Sequence, residues 1–347
     1  MNAQQEVIAF LSRAESYGAP GNLVELIETH GSLIFLHGQR AYKLKRAIAY
    51  AALDFLSLDS RERACQAELR LNRRTAPDLY LEVRSINRAA DGSLSFNGGG
   101  QVLDWVVVMR RFAQDALFDH MALDGRLTLD LMDRLGAEIA RFHASAELTQ
   151  AFGGAAGIRQ AIEDNHRELC HYLTLLDPVA VHALHHASRA ALDELNGLLE
   201  QRRREGRVRR CHGDLRLANI CLYEGRPTLF DGIEFSEQIA CIDVLYDLAF
   251  VLMDLRQHGL AGHADRLLHS YLAHSTLAED CRPLPLFLSL RAATRCFTLA
   301  CSAVRLPEEQ TRAAKAEQAQ ALLQQAKAYL RGDGQPLTRR PQGQCSN

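Results

Sequence analysis

The sequence predicts an α+β fold in which a small antiparallel β-sheet precedes a larger helical part. Up to residue 112 it contains short apolar runs separated by turn sequences such as Asp91-Gly92. From residue 113 apolar residues recur at helical spacings, as at Leu131, Leu135 and Phe142. We therefore divide the chain into an N-terminal lobe, 1–112, and a helical lobe, 113–331. The tail, 332–347, has too little apolar content to fold, and we expect it to be disordered.

The composition narrows the class of protein. The 347 residues are 47% hydrophobic and 24% charged, which is typical of a globular protein, and the net charge of −2 gives no electrostatic reason to expect nucleic acid or an anionic membrane as partner. The N-terminus lacks the pattern of a signal peptide, and apolar runs such as WVVVM are too short to span a membrane. Nine cysteines without a C-x-x-C pair indicate free thiols, so we expect a cytoplasmic protein.

The N-terminal lobe is predicted element by element. We expect a helix over 2–15, β-strands over 23–46 broken at His30-Gly31 and at the turn HGQR, a helix over 60–75, and an antiparallel meander over 79–112 with turns at Asp91-Gly92 and Gly98–Gly100. The second helix follows a capping pattern in which Glu62 stands three residues after Asp59, and it ends before Pro77.

A cluster of polar residues surrounds a short strand–turn–strand at 209–235, RRCHGDLRLANICLYEGRPTLFDGIEF. The runs NICLY and PTLFD flank EGR, which predicts a hairpin with Gly225 at its tip and Asn219 opposite Asp231. An amide oxygen and a carboxylate that face each other in this way suit Mg²⁺. Asp214 lies on the loop that enters the hairpin, where a base could hold a hydroxyl for attack.

These residues resemble the catalytic and metal-binding segments of the protein-kinase-like fold. HGDLRLAN, residues 212–219, meets the pattern H-x-D-x-x-x-x-N, and glycine after the histidine is similar to the aminoglycoside phosphotransferase and choline kinase branch. The resemblance covers residues 23–305 and is closest to an uncharacterised bacterial group of aminoglycoside-phosphotransferase-like proteins. It implies a two-lobed fold with Asp214 as catalytic base, Asn219 and Asp231 as Mg²⁺ ligands, and Asp247 as a buried residue that hydrogen-bonds the catalytic loop.

The same resemblance assigns a nucleotide-binding role to residues of the N-terminal lobe. Only four of the 40 basic residues are lysines, and two of them stand in RAYKLKR. Ala41 and Lys43 have the spacing of the alanine over adenine and the phosphate-holding lysine, while Lys45 shares their face and remains the alternative. Glu68 falls on the buried stripe of the second helix and is the expected partner of Lys43, with Glu62 the weaker candidate.

The strand WVVVMRRF should run into the hinge between the lobes. The resemblance implies that the backbone there, at Met109, Arg110 and Arg111, contacts adenine. A glycine-rich G-x-G-x-x-G between the first two strands is missing, as it often is among relatives of this branch, and no P-loop motif occurs.

The predicted function is an ATP-dependent phosphotransferase that uses Mg²⁺ and moves the γ-phosphoryl group to a hydroxyl of a small molecule, with neither nucleic acid nor membrane as partner. The alternatives are a catalytically weak nucleotide-binding regulatory module and a protein Ser/Thr kinase, although no A-P-E segment follows Asp231. The acceptor depends on pocket shape, which a sequence does not give.

Three further features of the sequence leave their roles open. His212 is expected to be a structural hydrogen-bonding group, and Arg216, where this branch commonly has histidine, either contacts phosphate or points to solvent. His182, His185 and His186 have the spacing of metal ligands on a helix, but no acid or cysteine in VHALHHASRA completes a site, so we expect a solvated helix face.

Overall fold

The computed structural model describes residues 3–18, 23–50, 53–276, 280–306 and 308–332. Apart from Gly332, the tail predicted at 332–347 lies outside these residues. In chain order the strands are β1 (Glu25–Glu28), β2 (Ser32–His37), β3 (Arg40–Lys45), β4 (Ala49–Tyr50), β5 (Leu53–Asp54), β6 (Tyr80–Arg88), β7 (Leu94–Phe96), β8 (Gln101–Arg110), β9 (Val208–Arg210), β10 (Ile220–Tyr223), β11 (Arg226–Leu229) and β12 (Cys241–Asp243). The helices are α1 (Ala3–Leu11), α2 (Leu58–Asn72), α3 (Phe118–Leu123), α4 (Leu129–Ser145), α5 (Gly154–Cys170), α6 (Pro178–Arg204), α7 (Glu237–Ala240), α8 (Val244–Gln257), α9 (Ala261–His274), α10 (Leu284–Arg305) and α11 (Glu309–Arg331).

The chain divides into two compact units. Unit 1 contains residues 1–120 and 218–240, and unit 2 contains residues 121–217 and 241–347. The predicted boundary at residue 112 assigns the segment 218–240 to the helical lobe. In the structure this segment groups with the β-sheet of unit 1. The reason is local packing, because Leu117 and Cys221 form a β-bridge and Cys221 is buried in the core of unit 1.

Unit 1 is built on the antiparallel sheet that the sequence predicts, which has six strands in the order β1-β2-β3-β8-β6-β7. Alternation along β3 directs Tyr42 and Leu44 into one core, which includes Val7 and Leu11 of α1. Ala41 lies in the core on the other face with Cys65 of α2. Because side chains alternate along a strand, the β3 residues next to Tyr42 and Leu44 point to the face that carries Ala41.

Two predicted boundaries in unit 1 shift. The first helix ends at Leu11 and is followed by a 3₁₀ turn at Ala14–Tyr17, rather than continuing to residue 15. Helix α2 begins at Leu58, and its cap is Ser57, whose Oγ accepts a hydrogen bond from Ser60 N. Asp59 is thus a residue of the first turn, where its charge favours the helix N-terminus.

The register predicted for the β10–β11 hairpin is wrong by one residue. Tyr223 pairs with Arg226 and Ile220 with Leu229, so Glu224 and Gly225 form a two-residue turn. Both turn residues have positive φ, 48° and 73°, as a turn that matches the twist of the strands requires. Asn219 consequently stands opposite Phe230, whose N–H donates to Asn219 O at 3.0 Å. Asp231 lies one residue past that pairing, with a positive φ of 61°.

In unit 2 the described residues form helices and one antiparallel pair, β9 with β12, in which Arg210 pairs with Cys241. Sequence periodicity did not reveal this pair, because each strand has three residues. Helix α10 has the length and hydropathy of a membrane span, but 61% of that stretch is buried within the fold, and core helices of globular proteins pass the same test.

The packing of α4 on α9 gives a stability prediction. A Cβ added at Gly136 of α4 would lie 2.8 Å from Leu267 O and 2.8 Å from Ser270 Cβ of α9, whereas one added at Gly197 of α6 would meet nothing within 4 Å. We expect Gly136→Ala to lower the free energy of unfolding by about 1–3 kcal/mol through overpacking. The control Gly197→Ala should raise it by about 0.5–1 kcal/mol, because alanine is the better helix former. Urea denaturation measures both, and equal effects of the two variants would contradict the close approach of α4 and α9.

Candidate active site

Two lysines of β3 share one carboxylate of α2. Lys43 Nζ lies 2.8 Å from Glu68 Oε1, and Lys45 Nζ lies 2.5 Å from Glu68 Oε2. Glu68 is wholly buried, and both lysines are nearly so. The expected pairing of Lys43 with Glu68 rather than Glu62 is therefore present, and Lys45, the alternative to Lys43, makes the same kind of contact with the other oxygen.

Each lysine also pairs with a second carboxylate from the segment after the hairpin. Lys43 contacts Asp231, and Lys45 contacts Glu234. The side chain of Glu234 is 7% exposed, whereas that of Asp231 is 42% exposed. The two lysines thus balance the two enclosed carboxylates, Glu68 and Glu234, while Asp231 adds a negative charge at the accessible edge of the cluster.

The ionisation of this charge cluster follows from its pairing. Burial alone would lower the pKa of Lys43, but the carboxylates of Asp231, Glu68 and Glu234 hold that pKa well above its usual value. Burial works in the opposite direction on Glu68, yet Lys43 and Lys45 hold the pKa of its carboxyl well below the usual range. For Glu234, burial and the neighbouring Glu68 raise the pKa against the opposing effect of Lys45. Glu234 pairs with Lys45, whereas Glu68 pairs with both lysines.

The segment that carries Asp231 is held by two side chains that the sequence analysis did not single out. Asp231 N donates to the Tyr80 hydroxyl at 3.1 Å. Asn72, at the end of α2, accepts from Gly232 N at 2.7 Å, and its own Nδ2 donates to Glu68 O at 3.0 Å. These bonds tie the backbone after the hairpin to the helix that supplies Glu68.

A cavity of about 220 Å³ opens beside the charge cluster, and its lining lies entirely in unit 1. Six of the residues predicted as nucleotide or metal ligands line it, namely Lys43, Met109, Arg110, Arg111, Asn219 and Asp231. The lining also includes apolar side chains, among them Ile27, Ile34, Leu36, Ala41, Leu117 and Phe230. A flat apolar group could be enclosed on one side and an anionic group held on the other. Glu68 lies behind Lys43 and does not line the cavity.

The hinge segment donates two of its amides to the protein itself. Arg110 N donates to Leu79 O at 2.8 Å, and Arg111 N donates to Gln39 O at 2.9 Å. A ligand in this cavity would therefore have to use other backbone groups of the hinge. The Arg111 side chain pairs with Glu25 at 2.9 Å.

The loop 212–217 in unit 2 is anchored by a buried carboxylate, as predicted for Asp247. Asp247 Oδ2 accepts from His212 N at 3.0 Å, and its Oδ1 accepts from Gly213 N at 2.9 Å. His143 Nε2 lies 3.2 Å from the same carboxylate, and its Nδ1 lies 3.1 Å from the Tyr271 hydroxyl. The prediction for Asp247 is confirmed, and His143 and Tyr271 extend the anchor.

The backbone conformation of the loop explains why HGD has glycine at its second position. Gly213 has a φ of 84°, a left-handed conformation that a side chain would strain. The far end of the loop is held by Asp254, whose Oδ2 accepts from Leu217 N at 2.9 Å.

His143 and Asp247, together with Cys211, also lie close enough to hold a metal ion. Because Asp247 already accepts from two loop amides, we interpret this group as structural.

Asp214 forms a two-point ion pair with Arg216. Arg216 Nε lies 2.8 Å from Asp214 Oδ1, and Nη2 lies 3.1 Å from Oδ2. Burial would raise the pKa of Asp214, but Arg216, His212 and Arg295 outweigh it and lower the pKa to about 2. Arg216 therefore binds the carboxylate itself, an arrangement that neither sequence-based alternative for Arg216 included.

The predicted site residues thus fall into two groups. Lys43, Glu68, Asn219 and Asp231 belong to unit 1, with the hinge residues Met109–Arg111 lining the same cavity as Lys43. Asp214 belongs to unit 2, with the loop that Asp247 and Asp254 anchor.

Comparison of the sequence with known proteins finds relatives without an assigned function. No protein-family model matches the chain. Uncharacterised proteins of Mycobacterium tuberculosis and Mycobacterium bovis are each 28% identical over 276 residues, which is 78% of this chain and 54% of each relative. The chain spans about half the length of the curated relatives it matches.

Comparison with solved structures identifies the fold. A thermostable mutant of aminoglycoside phosphotransferase APH(4)-Ia matches with a TM-score of 0.55 and 20% identity, over 94% of this chain and 99% of that one. A choline/ethanolamine kinase family protein from Mesorhizobium loti matches with a TM-score of 0.52 and 14% identity, over 95% and 98% of the two chains. The chain therefore has the protein-kinase-like fold of the aminoglycoside phosphotransferases and choline/ethanolamine kinases.

Proposed function

We propose that this protein is an ATP-dependent phosphotransferase that moves the γ-phosphoryl group to a hydroxyl of a small molecule. The observation that carries the proposal is the cavity in which Lys43, held by Glu68, lies beside Asn219 and Asp231. A lysine fixed by a helix carboxylate and a pair of oxygen ligands are the parts that phosphoryl transfer in this fold requires. A solved complex of the APH(4)-Ia mutant with AMP-PNP and hygromycin B has the same fold, with a TM-score of 0.53 and 19% identity over 97% of this chain, which supports nucleotide binding here.

The charge balance of the cluster fits a magnesium–nucleotide complex. Lys43 and Lys45 offset Glu68 and Glu234, which leaves the half-exposed Asp231 as a carboxylate available to a cation. Asp231 and Asn219 would hold Mg²⁺, which supplies neutralisation of the phosphate charge when it is bound. An ammonium has three N–H donors, so Lys43 can keep Glu68 and still donate to a phosphate oxygen.

Asp214 is the proposed base. The acceptor oxygen forms a bond to the γ-phosphorus, the bond from that phosphorus to the bridging oxygen breaks, and ADP leaves. The hydroxyl proton passes to Asp214 and then to solvent. A carboxyl with a pKa near 2 is a weak proton acceptor, so its main task would be to orient the hydroxyl, which suits the loose transition state of phosphoryl transfer.

The charges around Asp214 favour an acceptor that carries an anionic group besides its hydroxyl. Arg216 binds Asp214, and Arg295 acts electrostatically on both residues. Arg295 Nε is buried without a hydrogen-bond partner in the described part of the chain. An acceptor carboxylate or phosphate would draw Arg216 from Asp214 and so free the base. Ethanolamine and aminoglycosides carry protonated amines instead, which these guanidinium groups would repel.

A regulatory module that binds nucleotide without turnover remains the second candidate. The observation in its favour is that both oxygens of Asp214 are engaged by Arg216. Mutation of Asp214 separates the two candidates, because only an enzyme has a turnover to lose.

Loss of Lys45 should mainly affect the stability of the protein, and loss of Lys43 should mainly affect its turnover. We expect Lys45→Met to lower the free energy of unfolding by about 3–5 kcal/mol, because it leaves the enclosed Glu234 without its counter-charge. Adding Glu234→Gln to that variant should recover most of the loss. Lys43→Met should cost less stability, since Glu68 keeps Lys45, but should reduce turnover by about 10²–10³-fold. Denaturant titrations and ADP release measure the two effects, and full stability of Lys45→Met would contradict the pairing with Glu234.

Asp214→Asn tests the proposed base. Nucleotide affinity measured by calorimetry with Mg²⁺ should stay near wild type, because Asp214 is not among the proposed metal ligands. Phosphoryl transfer should fall by about 10²–10⁴-fold. Asp193→Asn is the control, since Asp193 is an exposed acid of α6. Unchanged transfer by Asp214→Asn would refute the role of Asp214, and nucleotide binding without transfer in the wild type would favour the module.

The charge of the acceptor can be tested with the wild-type protein alone. In a panel of small alcohols we expect ADP formation with hydroxy acids or sugar phosphates to exceed that with ethanolamine or hygromycin B, because Arg216 and Arg295 attract the anionic group. Raising the salt concentration should weaken this preference through screening. A preference for the amines would show that the two arginines do not select the acceptor.

A further inference from the structure

Four histidines gather where α5 packs on α6 in unit 2, outside the residues of the proposed reaction. The ring of His166 on α5 stacks on that of His185 on α6, with ring centres 4.1 Å apart. The ring centre of His182, one turn earlier on α6, lies 5.3 Å from that of His166. His186 lies at the margin, with its ring centre 5.9 Å from that of His185.

Helix α5 adds a thiol and a carboxylate to this cluster. Cys170 Sγ lies 3.9 Å from His166 Nδ1 and 3.8 Å from its Nε2, and the thiol is free and half-buried. Glu163 Oε2 lies 3.1 Å from His185 Nε2, while its Oε1 accepts from Arg189 at 2.8 Å. The acid and the cysteine that VHALHHASRA lacks are thus supplied by α5, and the predicted solvated face holds for His182 and His186, whereas His185 is partly buried. These two residues of α5 are distant in sequence from the histidines of α6.

We propose that His166, Cys170, His182 and His185 form a binding site for Zn²⁺ or a similar transition-metal ion. Three imidazoles and one thiolate are a known kind of zinc ligand set, and their softness disfavours Mg²⁺. The pairs are spaced i, i+4 on α5 and i, i+3 on α6, so each pair projects from one face of its helix. The ion would join the two helices through two ligands from each.

Two of the separations in this cluster can be compared with those of a tetrahedral site. With Zn–S of about 2.3 Å and Zn–N of about 2.0 Å, sulfur and nitrogen ligands lie roughly 3.5 Å apart, and two imidazole centres roughly 5 Å apart. The Cys170–His166 and His166–His182 distances approach these values. The stacked rings of His166 and His185 would have to rotate for both to reach one ion. Glu163 on His185 Nε2 leaves Nδ1 of that ring for the ion and would support the ring as its hydrogen-bond partner once the ion is bound.

Cobalt titration of the full chain without a histidine tag tests this site. Co²⁺ substitutes for Zn²⁺ and reports its own ligands by absorption. We expect one equivalent to bind with a sulfur-to-cobalt charge-transfer band in the near ultraviolet and the strong visible bands of tetrahedral coordination, and Zn²⁺ to displace it. Co²⁺ held by the oxygen ligands Asn219 and Asp231 would give neither signal.

Variants assign the ligands. Cys170→Ser should remove the charge-transfer band, and His166→Ala should weaken Co²⁺ binding by at least about tenfold. Glu163→Gln should weaken it by about 10–100-fold while the band persists, because it removes only the partner of His185. The matched control His186→Ala should bind like wild type, and apo-protein melting curves check that each variant folds. A band that survives Cys170→Ser, or the absence of Co²⁺ binding at micromolar concentration in the wild type, would overturn the site.

Discussion

The sharing of Glu68 between Lys43 and Lys45 is the interaction on which the proposed nucleotide site depends. A buried carboxylate costs several kcal/mol unless it is paired, and here each of its oxygens meets one ammonium. The second contact of each lysine then reaches Asp231 or Glu234, so the helix, the strand and the segment after the hairpin are held by one set of charges. Loss of Lys45 would leave the enclosed Glu234 without this partner, whereas loss of Lys43 would leave Glu68 paired with Lys45.

In unit 2, hydrogen bonds to buried carboxylates hold the loop that carries Asp214. Asp247 and Asp254 accept from backbone amides at the two ends of the loop 212–217, and His143 supports Asp247 from behind. Asp214 itself is paired with Arg216. The buried carboxylates thus pair with lysines in unit 1 and with backbone amides in unit 2, while Asp231 and Asp214 have the more exposed side chains.

Much of this arrangement could be predicted from sequence, because it depends on local periodicity. Alternation along β3 placed Lys43 and Lys45 on one face, and helical spacing placed Glu68 on the buried side of α2. Sequence left the choice between the two lysines open, and the structure explains why: both contact Glu68. The hairpin register was wrong by one residue because EGR accommodates either a two- or a three-residue loop, and only the positive φ of Glu224 decides between them. The pairing of Lys45 with Glu234, and of His166 and Cys170 with the histidines of α6, joins residues distant in sequence, so no local pattern could reveal it.

The most direct test of the account is a crystal structure with Mn²⁺ and a non-hydrolysable ATP analogue, in which anomalous scattering locates the metal. The account predicts Mn²⁺ on the side-chain oxygens of Asp231 and Asn219, with Lys43 on a phosphate and still paired with Glu68, and with the Lys45–Glu234 pair unchanged. Metal bound to Glu234, or Lys45 on the phosphates, would contradict the division of roles within the charge cluster.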